Sequence, residues 1–261
     1  MIKHLQLFHC IFTISLQRQL AHRANLFFEI LMTAIGLLSG IFAVAAIFSR
    51  TSSLAGWSLG GTIVLLGSYQ FVSGIIAAFV TPNLAFFQPK VTNGEIDEAL
   101  LKPASNLFLM SLGTCQPWAI TQSLLGLATV GFGIAIGSIK LTALSLLLYG
   151  LLLFIGVLTA WASRALLACL AFWAPGMEPS IIYDACWELG RYPLAVYHPF
   201  LQKLLTHVIP IAFISTFPAL VLVQGPTKAL FIGSLIGGSI FLILVSIVWR
   251  RALRRYTSAT S

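Results

Sequence analysis

The stretch LTALSLLLYGLLLFIGVLTAW, residues 141–161, carries no charged side chain and no proline. A helix needs about 20 apolar residues to cross a bilayer, and this stretch supplies them. Uninterrupted charge-free runs cover 30–49, 51–89, 103–139, 141–163, 204–227 and 229–249. Only 8% of residues are charged and 58% are hydrophobic. Almost no ionisable group is left where a soluble enzyme would need one. The chain reads as a polytopic membrane protein.

Punctuation trims the runs to six spans, at about 26–48, 57–80, 118–139, 141–161, 204–223 and 230–249. Thr81-Pro82-Asn83 stops the second, and Gln116-Pro117 precedes the third. The fourth has room to extend toward Trp173, since only Arg164 interrupts its apolar pattern. The fifth is expected to be kinked by Pro210 and Pro218. Backbone groups in lipid must be bonded internally, so helices are expected. The strict alternation of a transmembrane barrel strand is not visible. The predicted fold class is all-α, with six transmembrane helices forming one membrane domain over 26–250.

Residues 1–25 do not read as a cleavable signal peptide, because Gln17, Arg18, Gln19, His22 and Arg23 break the apolar run with no small-residue cleavage site. Ile2, Leu5, Phe8, Phe12, Leu16 and Leu20 recur at three- and four-residue steps. That spacing predicts an amphipathic helix at the membrane surface. Residues 251–261 read as a basic tail.

Charge sets the orientation. Lys3, Arg18, Arg23, Lys90, Lys102, Arg164, Arg191, Lys203, Arg250, Arg251, Arg254 and Arg255 fall on the side of the termini. Arg50, Lys140 and Lys228 fall on the other. The excess places both termini in the cytoplasm. Topology therefore accounts for the net charge of +8, and no basic patch points to nucleic acid. Cys10, Cys115, Cys169 and Cys186 have no CxxC spacing and read as small hydrophobes. The histidines show no metal-ligand spacing. His207 is placed inside span five, hydrogen-bonded between helices, and Glu29 at the edge of span one, within reach of Arg18 or Arg23.

The two long loops, 81–117 and 174–203, are both cytoplasmic in this topology. Gly94, Glu95, Ile96, Asp97, Glu98, Leu100 and Leu101 read as a short helix bracketed by Gly94 and Pro103, with acids in its first turns. Its apolar stripe and acidic outer face suit docking into another protein. In the second loop, residues 180–189 are helical by pattern, with Gly190 as C-cap and Pro193 as stop. Asp184 and Glu188 share a face there, followed by Arg191 and Tyr192. Nothing else supports catalysis, so the pair reads as the polar face of an interfacial helix, and neither a catalytic nor a metal site is predicted.

The segments "RANLFFE" (23–29), "GEID…LLKP" (94–103), "ELGRYP…Y" (188–197) and "HVIPIAFISTFPA" (207–219) resemble, in this order, ABC-2-type permeases. The resemblance is to the six-span subfamily of roughly 260 residues encoded with a separate ATPase, and it covers essentially the whole chain. It implies the ABC-2 (type V exporter-like) permease fold in a bacterial plasma membrane. It also implies that residues 94–101 are a coupling helix that docks an ABC ATPase subunit. The chain has no GxxxxGK[ST], so no cofactor is expected on it, and ATP with Mg would sit on the partner. A second permease subunit, identical or paralogous, is implied as well. Gly36/Gly40, Gly133/Gly137 and Gly233/Gly237 suit close helix contacts within or between subunits.

Tyr69, Gln70, Gln122 and Thr216 are the candidate substrate-path residues, with Thr121, Thr159 and Ser215 as further polar groups within spans. No predicted span carries a charge near its middle. An uncharged lining fits amphipathic or lipid-like cargo better than small ions, and the resemblance to ABC-2 permeases implies that it is moved outward. The competing readings are a secondary transporter, which usually needs broken helices and midplane ionisable groups, and a membrane scaffold.

Overall fold

The computed structural model describes residues 2–21, 23–85, 87–94, 96–97, 106–174, 177 and 179–255, with side chains at these positions except 2–7, 21 and 23–25. Among the described residues there is no strand beyond an isolated bridge, Leu54 to Trp57. That bridge closes the loop after span one, where Ala55 and Gly56 turn through positive φ (49° and 84°).

The N-terminal helix, Ile2–Ala21, is followed directly by span one, helix Arg23–Phe48. Phe8 and Phe12 of the first helix lie 5.6 and 6.4 Å from the Phe79 ring at the end of span two. Gln19 accepts a hydrogen bond from the Trp118 N–H at 3.1 Å. Leu16 and Leu20 are exposed.

Span two, Leu59–Phe79, starts where Ser58 accepts a hydrogen bond from the Gly61 N–H. It is the centre of the bundle. Gly60, Gly67 and Gly74, seven residues apart, face Gly137, Gly126 and Ser123 of span three. A Cβ added at Gly67 would fall 2.7 Å from the Gly126 carbonyl oxygen. Small residues let the two backbones touch, and Ser123 Oγ donates to the Phe71 carbonyl across the seam at 2.9 Å. Span three is a turn, Pro117–Ala119, continued by helix Ile120–Gly137. It stops at Ser138, which is left-handed (φ 46°). Of the glycine pairs singled out by sequence, Gly133 and Gly137 join this seam; Gly40 lies against Leu66 and Gly237 against the Phe213 ring, while their partners Gly36 and Gly233 face open space.

Span four passes Trp161 and takes the extension toward Trp173 that its sequence left room for. It begins at a Thr142–Ser145 capping box and runs without interruption from Ala143 to Cys169. Arg164 does not stop it, because Asp184 pairs with the guanidinium at 2.9 Å.

Span five is not the single kinked helix expected over 204–223. Helix Pro199–His207 ends, a turn covers Ile211–Phe213, and helix Thr216–Val223 follows. The two parts are bent by 76°. Pro210 lacks an N–H and sits in the break. Pro218 lies in the first turn of the second helix, where an N–H has no partner in any case. His207 accordingly ends the first helix, exposed, with its Nδ1 against the Lys203 carbonyl rather than between helices. Span six, Lys228–Arg255, is longer than expected and takes the first residues of the basic tail into the helix. Residues 256–261 lie outside the described ones.

Among the described residues five helices are long and apolar enough to cross a membrane, six with the bent pair counted as one span. The chain is an all-α, multi-pass membrane protein.

Candidate functional site

The segment after span four does not lie flat on the bundle. Helix Ser180–Glu188 and the turn Leu189–Arg191 are pushed in beside span two. Trp187 Nε1 donates to Ser73 Oγ at 2.9 Å, and the Tyr69 hydroxyl donates to Glu188 Oε1 at 3.2 Å. Tyr69 lies ten residues before Phe79, so the contact reaches about 15 Å into the span at 1.5 Å per residue. Gly190 allows the approach: a Cβ there would meet Ile211 at 2.9 Å and the Tyr69 ring at 3.0 Å.

Charged groups in this seat are matched. Arg164 packs over the rings of Tyr183 and Trp187, 4.9 and 4.8 Å from their centroids, while holding Asp184. A guanidinium at the end of a span is tolerated because ring faces and a carboxylate replace its water. Arg191 pairs with Glu188 at 2.6 Å and lies over Tyr69. Tyr183 is hydrogen-bonded to Ser163 at 2.7 Å, and burial pushes its phenol up to about 12, so it serves as a neutral partner. The two carboxylates expected to form one polar face therefore serve two different arginines.

Between this segment and spans one, two and three lies a cavity of about 550 Å³. Tyr69, Gln70 and Ser73 of span two line it, with Gln122 of span three. Asp184, Trp187, Glu188 and Arg191 form a further wall, and Phe28, Glu29 and Met32 of span one another. The structure thus brings Tyr69, Gln70 and Gln122 together with Asp184, Glu188 and Arg191. Thr216 does not join them. It begins the helix after the break and is buried with its hydroxyl unpartnered among the described residues. Tyr192 does not line the cavity either; its N–H bonds to Leu189 O at 3.3 Å. Glu29 lines the cavity with one carboxylate oxygen buried and unpartnered among the described residues.

Ser73, Tyr183 and Trp187 escaped the sequence reading. The four-residue spacing of Tyr183 and Trp187, which puts both rings on one helix face, was the available signal. For Ser73 there was none.

The expected docking helix falls only partly on the described residues. Gly94 turns the chain at φ 75°, Ile96 is buried at 2% exposure, and the Asp97 N–H bonds to Gly94 O. Glu95, Glu98, Leu100 and Leu101 lie outside the described residues. Cys10, Cys115, Cys169 and Cys186 are free thiols. Among the described residues no group of three His, Cys, Asp or Glu side chains converges as metal ligands would.

A family model described as "ABC-2 family transporter protein" matches residues 34–260. The chain belongs to the ABC-2 family of transporter proteins. The match begins inside span one and takes in every later element, including the inserted segment and the broken span. No curated protein and no solved structure gives a significant match. As an ABC-2 permease the chain is a membrane transport component, and the cavity is its candidate path.

Proposed function

We propose that this chain is the membrane subunit of a two-component exporter of amphipathic or lipid-like molecules, driven by a separate ABC ATPase. The observation that carries the reading is the cavity of about 550 Å³, bounded by spans one, two and three and the inserted segment. Its lining mixes aromatic rings, amides, the arginine-paired Asp184 and Glu188 and the carboxylate of Glu29, which suits a molecule with an apolar body and a polar end. The chain lacks a phosphate-binding GxxxxGK[ST] loop, so ATP and Mg belong on the partner. Residues 94–101 are the docking helix. The excess of Lys and Arg on one side supports cytoplasmic termini, and the family supports a bacterial plasma membrane as the site of action.

A second permease subunit, identical or paralogous, completes the path. Span one leaves Phe28 and Met32 exposed beside the cavity and Phe42 exposed further along the helix, and that helix is where the second subunit or lipid meets it. ATP-driven closure of the ATPase pair pushes the docking helices together and switches the spans between inward- and outward-open states. Substrate moves because the two states bind it differently.

The broken span five favours one other reading, a secondary transporter, because such carriers use interrupted helices at their sites. Against it, Ile209–Thr216 contains no ionisable residue.

The test is purification in mild detergent, comparing the native chain with a variant carrying Glu95→Lys, Asp97→Lys and Glu98→Lys. The expected result is an ATPase subunit that accompanies the native chain and is lost from the variant. Absence of any nucleotide-binding subunit from both preparations overturns the reading.

A further inference from the structure

We propose that residues 180–191 are a movable plug, latched across the cavity by the Arg164–Asp184 pair and by the Tyr69–Glu188 hydrogen bond. Its withdrawal toward the loop side of the membrane opens the cavity to that side. The inference rests on the transporter reading above and names the element that controls entry to its cavity.

The seat is built for release. The plug meets span two through two side-chain hydrogen bonds, Trp187 Nε1 to Ser73 Oγ and Tyr69 OH to Glu188 Oε1, at 2.9 and 3.2 Å, and through Gly190, Arg191 and Trp187 against the Tyr69 ring. Span two meets span three quite differently, through backbone-to-backbone contact at glycines. Polar contacts exchange readily for water when a cavity fills, whereas interdigitated backbones do not.

Charge accounting allows the movement too. The Glu188–Arg191 pair is internal to the plug and leaves with it. Asp184 and Glu188 keep about half their side-chain surface exposed even in the latched state, at 55% and 54%. Arg164 stays behind facing the cavity, where water replaces Asp184. No charge is stranded in an apolar environment, which would otherwise forbid the step. Chain geometry adds a boundary: Tyr192 is extended (φ −119°, ψ 153°) and Pro193 follows, so the helix cannot continue into span five.

Ser73 reports on the plug because Trp187 covers it. Ser68, one turn and a half away in the same span, is bonded to Tyr149 at 3.0 Å and does not touch the plug. The experiment places a single cysteine at either site in the full chain, with Cys10, Cys115, Cys169 and Cys186 changed to Ala. A membrane-impermeant maleimide is applied from the loop side of oriented membrane vesicles.

The latch is then weakened with Asp184→Asn and Glu188→Gln. Labelling of an occluded thiol scales with the population of the open form, so the rate at Ser73→Cys is expected to rise about tenfold. The rate at Ser68→Cys is expected to stay unchanged. Equal rates at Ser73→Cys with and without the latch overturn the plug. A parallel rise at both sites also overturns it, because that is general loosening. The readout needs no ATPase and no substrate. Its failure is therefore distinct from failure of the transporter reading, which the co-purification decides.

Discussion

Span one is the more apolar of the first two spans, yet span two is the one that lies inside the bundle. Span one has mean hydropathy 2.4 and only 11% of its window is buried. Span two has mean hydropathy 1.7, yet 78% of its window is buried. In water the more apolar helix would be the inner one. In lipid the tails are as apolar as leucine, so hydrophobicity does not sort helices inward. Small and polar residues do. Span two carries Gly60, Gly67, Gly74, Ser68 and Ser73, each against a neighbour. Span one turns Phe27, Phe42 and Met32 outward.

The strongest way to break this comparison is to swap sizes. Gly67→Leu drives a side chain into the Gly126 backbone. It is expected to cost about 3 kcal/mol or more and to abolish a monodisperse peak on size exclusion. Gly36→Leu in span one, where nothing lies within 4 Å, is expected to leave that peak intact.

Next in size is Arg164→Ala, which leaves Asp184 unpaired and two ring faces bare. A loss of about 1–2 kcal/mol is expected, seen as a lower thermal midpoint, with partial recovery in Arg164→Lys. Smaller again is Ser68→Ala, which removes the hydrogen bond to Tyr149. Interhelical hydrogen bonds in lipid average about 0.6 kcal/mol, and a drop of that order is expected in the same assay. Phe42→Ala, at 71% exposure, is expected to move stability by less than about 0.5 kcal/mol. A large effect there would show that span one is covered by a tight partner.

The number and order of the spans were legible because each rests on a local property, an apolar run of sufficient length. Span four's end was legible only as a choice between Trp161 and an extension toward Trp173. Arginine is a good helix former, but what neutralises Arg164 there is Asp184, twenty residues further on. Span five's break was half legible. Pro210 marks the place, but whether it bends or interrupts depends on packing. The turn Ile211–Phe213 seats its Phe213 carbonyl against Gly156 of span four, which no local pattern records. The seven-residue glycine ladder of span two was present in the sequence. Attention to four-residue glycine pairs passed over it.

The cavity was legible only in pieces. Tyr69, Gln70 and Gln122 stood out as polar groups within spans, and Asp184, Glu188 and Arg191 as a charged loop. What joins them is a contact between Tyr69 and Glu188, 119 residues apart. Insertion of a loop between spans is a tertiary event, and the polarity that made 180–191 look like a surface helix is the polarity that fills its seat.

The central claim is transport powered by ATP on a separate subunit. It is tested most directly in inside-out vesicles holding this chain and its ATPase, by following uptake of a fluorescent amphipathic probe. The account predicts uptake that requires hydrolysable ATP and persists when ionophores collapse the proton and sodium gradients. Uptake that ignores ATP and vanishes with those gradients would contradict it.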